Sequence, residues 1–449
     1  MKPEQIPTKN GVAYEDLDRD FPSLDNQIKR GSPCGVELRV LTLNVWCLPQ
    51  PWPIGSKDRK LRLKKLADAI LIEKYDIVGL QEIWSNNDYL EMAERLSSSF
   101  RFHHYFHSGF TGSGVCVFSR YPIVSTLTHR YSLNGFAHHI HRGDWFGGKV
   151  VGLVEIEVGE VRVNFYVTHL HAEYNRENDL YLPHRTSQSF ELSQFVRHTS
   201  RGADVVIVVG DFNMEPEDLG FRLILSQVRL LDAWRLAHPI TSPEGESPSV
   251  SSLSQWRGVV HGGTCDRPDN CYSLKKFREN DESKRIDYIL FKSEQMSVSL
   301  EQCDIAMNKI PNENLNYSDH VGVQARFRIE SGERDAPFLL SASKFELSCE
   351  WEPNRPLLIE AIGIVSGGQR RARSDRTWFV CGAIFIFVTI ILSLFLDKVF
   401  PVISLLLSVF RFALTVVMAF CLWYGVIGLT LERKALKAAK QSMRQLLND

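Results

Sequence analysis

Through the first three quarters of the chain, apolar residues come in short blocks separated by polar ones; near the end they lengthen into unbroken runs. Val205–Val209 is a continuous β-branched run of strand length, the pattern of a strand buried on both faces. It ends abruptly in Gly210, Asp211 and Asn213. Glu37–Asn44 alternates like a half-buried strand and is closed by Trp46 and by prolines at 49, 51 and 53. Arg59–Lys74 sets Leu63, Leu66, Ala67, Ile70 and Leu71 on one helical face. Asp76–Glu82 is a second buried strand ending in a carboxylate, so the order strand, helix, strand predicts a βαβ-like unit.

The pattern continues in the same style. Gly112–Arg120 predicts a glycine turn followed by a strand, and Val150–Glu157 pairs with Val161–His169 about Gly159. Arg185–Ser200 predicts a helix leading into the central run. Arg285–Phe291 is a strand with Asp287 near its start, and Ser318, Asp319 and His320 precede a last strand at Val321–Phe327. Residues 1–35 are polar and weakly patterned, an expected extension; 239–283 are rich in Pro, Ser, Gly and charge, an expected surface insertion; 329–376 are the expected linker to the apolar tail.

That tail predicts membrane spans. Trp378–Leu396 holds nineteen residues without a charge, about 28 Å of helix at 1.5 Å per residue, close to the hydrocarbon thickness of a bilayer. Phe412–Leu431 holds twenty, and a span centred instead on Arg411 would carry a charge at its middle. Arginines 370, 371, 373 and 376 precede the first span, and five basic residues from Arg433 to Arg444 follow the second. The positive-inside rule then predicts a hairpin over 377–431 with both chain ends, and the basic tail 432–449, in the cytosol. The pattern does not choose among endoplasmic reticulum, Golgi, nuclear envelope and plasma membrane.

Composition narrows the partners. A net charge of −1 over 449 residues offers no basic face for a polyanion, so no nucleic-acid partner is expected. The nine cysteines are scattered without paired zinc-type spacing, and the first thirty residues are too polar for a secretory signal. A reducing, cytosol-facing domain fits that usage.

Polar side chains gather at expected strand ends: Asn44, Glu82, His169, Asp211 with Asn213, and Asp319 with His320. Oxygen donors without cysteine suit a hard divalent cation, Mg²⁺ first and Mn²⁺ as a substitute. Glu82 is the strongest single candidate ligand, a carboxylate where a buried strand surfaces. Histidines beside carboxylates and a metal suit attack of water on phosphorus, one histidine taking the proton and another steadying the developing charge.

In this order the motifs resemble the endonuclease–exonuclease–phosphatase superfamily, and within it the Mg²⁺-dependent neutral sphingomyelinases of the small membrane-anchored animal type. The resemblance rests on Gly112–Ser119, His141–Phe146, Thr168–Asn175, Gly210–Leu219, Arg285–Tyr288 and Ser318–His320, together with the hairpin. It implies an α/β fold, a four-layered α/β/β/α sandwich over 36–328 followed by the two-helix transmembrane hairpin. It also implies roles: Glu82 as principal Mg²⁺ ligand, with Asn44 near metal and phosphate and Asp319 supporting a second metal position. His320 would be the general base, Asp287 would hold its ring, Asp211 would orient the attacking water, and Asn213 and His169 would contact the phosphate. Trp46, Trp52, Trp145 and Phe146 are candidates for a choline-binding or interfacial surface.

The implied activity is phospholipase C-type hydrolysis of sphingomyelin, a bilayer phospholipid, to ceramide and phosphocholine. A lysophospholipase C on lysophosphatidylcholine or lyso-platelet-activating factor shares the phosphocholine end and stays open. An inositol-phosphate phosphatase would need a basic pocket that the motif loops lack, and a membrane adaptor would not need Glu82, Asp211, Asn213 and His320 together.

Overall fold

Val205–Val209 forms the middle of the sandwich. The computed structural model describes residues 35–50, 54–239, 262–275, 283–330 and 352–448, and in it all five of these side chains are fully buried. Val205, Ile207 and Val209 enter one apolar cluster while Val206 and Val208 enter another. The strand has core on both faces, which its composition requires.

The elements begin with β1 (Val36–Cys47), α1 (Arg59–Glu73), β2 (Ile77–Ile83), α2 (Asn86–Leu96), β3 (Phe102–Tyr105), β4 (Cys116–Ser119) and β5 (Ile123–Arg130). They continue with α3 (Asp144–Gly147), β6 (Val150–Val158), β7 (Val161–His169), α4 (Leu182–Thr199), β8 (Val205–Asp211) and α5 (Leu219–Val228). Then come β9 (Leu231–Asp232), α6 (Ala233–Ala237), β10 (Asp287–Ser293), β11 (Ser297–Ala306) and β12 (Gly322–Glu330). The tail is α7 (Asn354–Val399), α8 (Ser404–Leu422) and α9 (Leu429–Asn448).

Two six-stranded mixed sheets, ordered β11-β12-β1-β2-β4-β3 and β5-β6-β7-β8-β10-β9, face each other. Leu38, Val40, Ile77, Phe165 and Ile207 fill the space between them. Helices α1 and α2 cover the outer face of the first sheet through Leu66, Ile70, Met92 and Leu96. Helices α4 and α5 cover the second through Leu192, Val196, Phe221 and Ile224. The result is the expected four-layered α/β/β/α sandwich.

Strand register decides what meets at the rim. Asn44 pairs with Gln81 across the parallel β1/β2 ladder. His169 lies opposite Asp211 in the parallel β7/β8 ladder, and Asp287 lies opposite Asp211 in the antiparallel β8/β10 ladder. One row of the second sheet therefore carries His169, Asp211 and Asp287 side by side. Gly210 permits this closeness: its φ is +143°, and a Cβ there would stand 1.9 Å from the Thr168 carbonyl oxygen.

Three expectations are corrected. The described part of the 239–283 insertion, 262–275, is built into the sandwich, with Thr264 and Asn270 buried and Cys265 bridged to both Lys284 and His320. Its polar residues satisfy buried backbone rather than solvent; Asn270 Nδ2 donates to the Ser318 carbonyl at 2.9 Å. The second half of the 329–376 linker is not a linker, because Asn354 begins a single 46-residue helix that runs on through the first apolar stretch. Leu357, Leu358, Ala361 and Val365 seat its base on Phe190, Leu219 and Leu223, and Leu436, Ala439 and Met443 of α9 close the same cluster. The tail after 431 is accordingly a docked amphipathic helix.

The second apolar helix also starts earlier than expected, at Ser404. Arg411 is neutralised by Asp397 at 2.9 Å, so the charge that argued against this register is paired. Trp423–Gly428 is a π-helical turn whose Tyr424 is buried against His138 and Phe379, 5.0 and 4.9 Å between ring centres. Among the described residues, two helices are long and apolar enough to cross a membrane.

Candidate active site

The site forms where the two sheets open at one rim. Asn44 reaches across the gap and donates through one Nδ2 to Glu82 Oε1 at 3.0 Å and to Asp211 Oδ2 at 2.9 Å. Its own Oδ1 accepts from the Trp46 backbone N–H at 3.0 Å. Glu82 and Asn213 are held at φ of +63° and +50°, backbone that asparagine adopts more readily than most residues and that is unfavourable for Glu82. Such backbone is tolerated where the surrounding structure fixes it, as it is around reactive groups.

His320 Nδ1 lies 2.8 Å from Asp287 Oδ2. Burial disfavours a charged ring, yet the Cys265 thiol and Asp287 together hold His320 well above the ordinary histidine range. His169 behaves oppositely. Burial, and then the Lys149 ammonium, hold it well below that range. Lys149 Nζ lies 2.9 Å from His169 Nε2, which is also 3.5 Å from Asp211 Oδ2. His169 Nδ1 is buried and has no hydrogen-bond partner among the described residues. Asn213 donates from its backbone to Asp211 Oδ1 at 2.9 Å and from Nδ2 to the Leu170 carbonyl at 2.9 Å. Ser318 Oγ donates to the Asn44 carbonyl at 2.7 Å and lies 3.1 Å from Asp319 Oδ1.

The acidic side of the site has too little positive charge around it. Burial and then Asp319 raise Glu82; burial and then Asp287 push Asp211 up to about 7. Asp287 Oδ1 is buried without a partner among the described residues. Asp211, Asp287 and His320 each present one ligand atom within 4.8 Å of the others. Crowded, desolvated carboxylates with unused lone pairs are what a hard divalent cation satisfies, so the donor set fits a metal.

All the sequence-derived candidates (Asn44, Glu82, His169, Asp211, Asn213, Asp287, Asp319 and His320) lie at this rim. Lys149 was not among them. It is buried, 3.1 Å from Asp144 and within reach of both His169 and the Leu170 carbonyl. The signal was a lysine placed between Gly148 and the apolar run at Val150, a position where a buried strand begins. Asp144 lay inside a matching motif, without a role; Lys149 and His171 overcome its burial and hold it well below the usual carboxylate range. Of the aromatic candidates, Trp46 is committed to Arg62 and Tyr272, Trp145 packs on Trp423, and Trp52 lies outside the described residues.

Fold and rim together define a sandwich hydrolase of the phosphoesterase kind, and the chain belongs to the Endonuclease/Exonuclease/phosphatase family, whose model matches residues 41–320. Within that family its similarity is to sphingolipid enzymes. It is 62% identical over 423 residues to a Caenorhabditis elegans protein named "Putative neutral sphingomyelinase", covering 94% of each chain. It is 36% identical to sphingomyelin phosphodiesterase 2 of Homo sapiens, covering 75% of this chain and 74% of that one. It is 33% identical to inositol phosphosphingolipids phospholipase C of Schizosaccharomyces pombe, covering 66% and 69%.

Proposed function

We propose that the protein is a membrane-anchored, Mg²⁺-dependent phosphodiesterase that hydrolyses sphingomyelin to ceramide and phosphocholine. The observation that carries the reading is the His320–Asp287 pair, 2.8 Å apart, set against the Glu82–Asn44–Asp211 cluster, in which Asn44 and Asp211 are buried and Glu82 is partly exposed. A proton acceptor and an anionic metal cradle on one rim are what water attack on a phosphodiester requires. The sphingolipid names of the three relatives support the choice of substrate.

In this reading Asp287 fixes Nδ1 of His320 and leaves Nε2 to take the proton of the attacking water. Asp211 accepts the water's second hydrogen and aims its lone pair at phosphorus. Asn213 and His169 contact phosphoryl oxygens, Asn44 stays bound to Glu82 and Asp211 beside them, and Lys149 supplies a fixed positive charge behind His169. The water oxygen bonds to phosphorus, the bond from phosphorus to the ceramide oxygen breaks, and that oxygen takes a proton from solvent while His320 returns the water's proton to solvent. Glu82, with Asn44 and Asp319, would hold Mg²⁺ or Mn²⁺, which when bound withdraws electron density from the phosphoryl group.

Topology belongs to the same proposal: both ends and the sandwich on the cytosolic side, with the hairpin keeping the site at the bilayer surface. Phosphocholine release from sphingomyelin and from lysophosphatidylcholine, measured side by side with Mg²⁺ or chelator, tests it. Mg²⁺-dependent release favouring sphingomyelin and lost in His320→Ala is the expected result. Preference for the lysolipid changes the substrate and keeps the chemistry; release from neither ends the phosphodiesterase reading.

A further inference from the structure

A cavity of about 570 Å³ lies between the sandwich and the end of the second apolar helix, within the roughly 300–1,000 Å³ of small-ligand sites. Leu133, Ala137, Trp145 and Phe146 line it from the sandwich, and Trp423 and Ile427 from the hairpin. The hydrogen-bonding groups around it are largely committed: Glu432 to His184 and Arg371 at 3.3 and 3.1 Å, and Asn134 Nδ2 to the Tyr131 carbonyl at 2.9 Å. Leu133, Ala137, Trp145, Phe146, Trp423 and Ile427 give it an apolar stretch, beside which the Tyr424 hydroxyl is buried without a partner among the described residues.

Its height relative to a bilayer can be read from the tryptophans. Trp378, 75% exposed, opens the first apolar stretch, and Trp423 directly follows the end of α8. The two helices run antiparallel, and Phe379 meets Tyr424 at 4.9 Å, so both tryptophans stand at one level. Tryptophan at the ends of apolar helices marks the membrane–water interface. Trp145 of the sandwich packs on Trp423 at 6.0 Å, at that same level. Phe110, a lining residue that donates its backbone N–H to the Phe146 carbonyl, is 89% exposed. The mouth of the cavity therefore opens where hydrocarbon chains are available.

The wall toward the catalytic rim is one turn of chain. Asp144, which holds Lys149, directly precedes Trp145 and Phe146. Gly147 packs under the Trp84 ring, whose Nε1 is 3.5 Å from Glu82 Oε2 and whose ring centre is 6.3 Å from that of His169. A molecule with its phosphate at Lys149 and His169 has its far end beside this cavity.

We propose that the cavity is the site for one hydrocarbon chain of the lipid undergoing hydrolysis, and that the membrane hairpin supplies half of it. This rests on the phosphodiesterase reading. It makes the hairpin part of the substrate site as well as a tether.

The test uses the full-length chain in mixed micelles with two substrates, long-chain sphingomyelin and p-nitrophenyl phosphocholine, a chainless diester with the same headgroup. Ile427→Trp fills the cavity from the hairpin, where the side chain is half exposed, and Ser132→Trp fills it from the sandwich. Each is expected to raise KM for sphingomyelin by about tenfold and to leave kcat/KM for the chainless diester within about twofold. A sphingomyelin carrying a diazirine on its chain is expected to label 423–432 or 130–137, less so in Ile427→Trp. Equal loss on both substrates, or loss on neither, overturns the chain site. Labelling without any change in KM also overturns it, assigning the cavity to an accessory lipid. A wild-type protein inactive on both substrates refutes the underlying phosphodiesterase reading instead.

Discussion

Asn44 and Asp211 belong to different sheets and are joined by a 2.9 Å hydrogen bond that also ties in Glu82. One amide amino group keeps a buried and a partly exposed carboxylate at a fixed distance. Asn44→Ala removes that spacer and leaves the carboxylates to repel. Activity is expected to fall roughly 10²–10³-fold, the scale of losing one well-placed polar group, with a rise in the Mg²⁺ concentration for half-maximal rate. A Mg²⁺ titration of phosphocholine release checks it. Chelator is expected to abolish release in the wild type, and added Mg²⁺ to restore it.

Asp287→Asn keeps the shape of the His320 pair but removes the charge that sets its ring. A fall in kcat of roughly 10²–10⁴-fold is expected, the range of general acid–base contributions. The acid limb of the pH–rate profile should move down at the same time, because Asp287 helps hold His320 above its ordinary range. A fall in kcat with an unmoved acid limb would argue against the pairing. Initial rates across a pH series distinguish the two.

Lys149→Met replaces a buried ammonium by an apolar chain of similar length. It is expected to lower kcat/KM roughly 10²-fold or more on both lipid and chainless phosphocholine diesters, since the lysine sits on the phosphate side. Because Lys149 helps keep His169 neutral, the variant's His169 should also titrate at higher pH, measurable by NMR of labelled histidine.

Stability should depend on pH through histidines held neutral. Burial, and then His139, pull His138 down to about 4; burial alone heads the causes that bring His171 to about 4. The unfolded chain takes up these protons near the ordinary value of 6.5, the folded chain only near 4. Their contribution is therefore complete above 6.5 and is lost as pH falls toward 4. Melting temperature should drop between about pH 7 and pH 5, and His138→Gln should flatten that slope.

Arg411 and Asp397 form a pair within the apolar hairpin. Asp397→Asn leaves the arginine unpaired and should reduce the fraction retained in membranes after an alkaline carbonate wash. Asp397→Asn combined with Arg411→Leu should restore retention, since the cost lies in the lone charge rather than in losing the pair.

The sandwich was legible wherever a strand is buried on both faces. Val205–Val209 and Ile77–Leu80 announce themselves by composition, and the residues that end them are the ones at the rim. Edge strands were not legible: β5 is mostly exposed and β11 half so, and neither needs the apolar pattern that marks a buried strand. The candidate site was readable because each candidate closes or opens a strand. Lys149 was missed because a lysine is normally solvated, and only the fold reveals that Asp144 and His169 enclose it. The docked base of α7 was missed because Gly363, Gly367 and Gly368 and the arginines from 370 onward read as a linker, although Leu357, Leu358, Ala361 and Val365 recur at helical spacing.

The continuity of α7 has a mechanical consequence. Its 46 residues run from the contact with α4 and α5 into the apolar hairpin without a break, about 69 Å at 1.5 Å per residue. A mast stepped into the sandwich at its foot cannot swivel independently of it. In the membrane-anchored state proposed above, a bilayer that thickens or thins makes the hairpin tilt to match, at fractions of a kcal/mol per Å, and the sandwich leans with it. The candidate rim would then rise from or sink toward the headgroups as bilayer thickness changes. Lipid composition would act on the rate through geometry alone, with no effector bound.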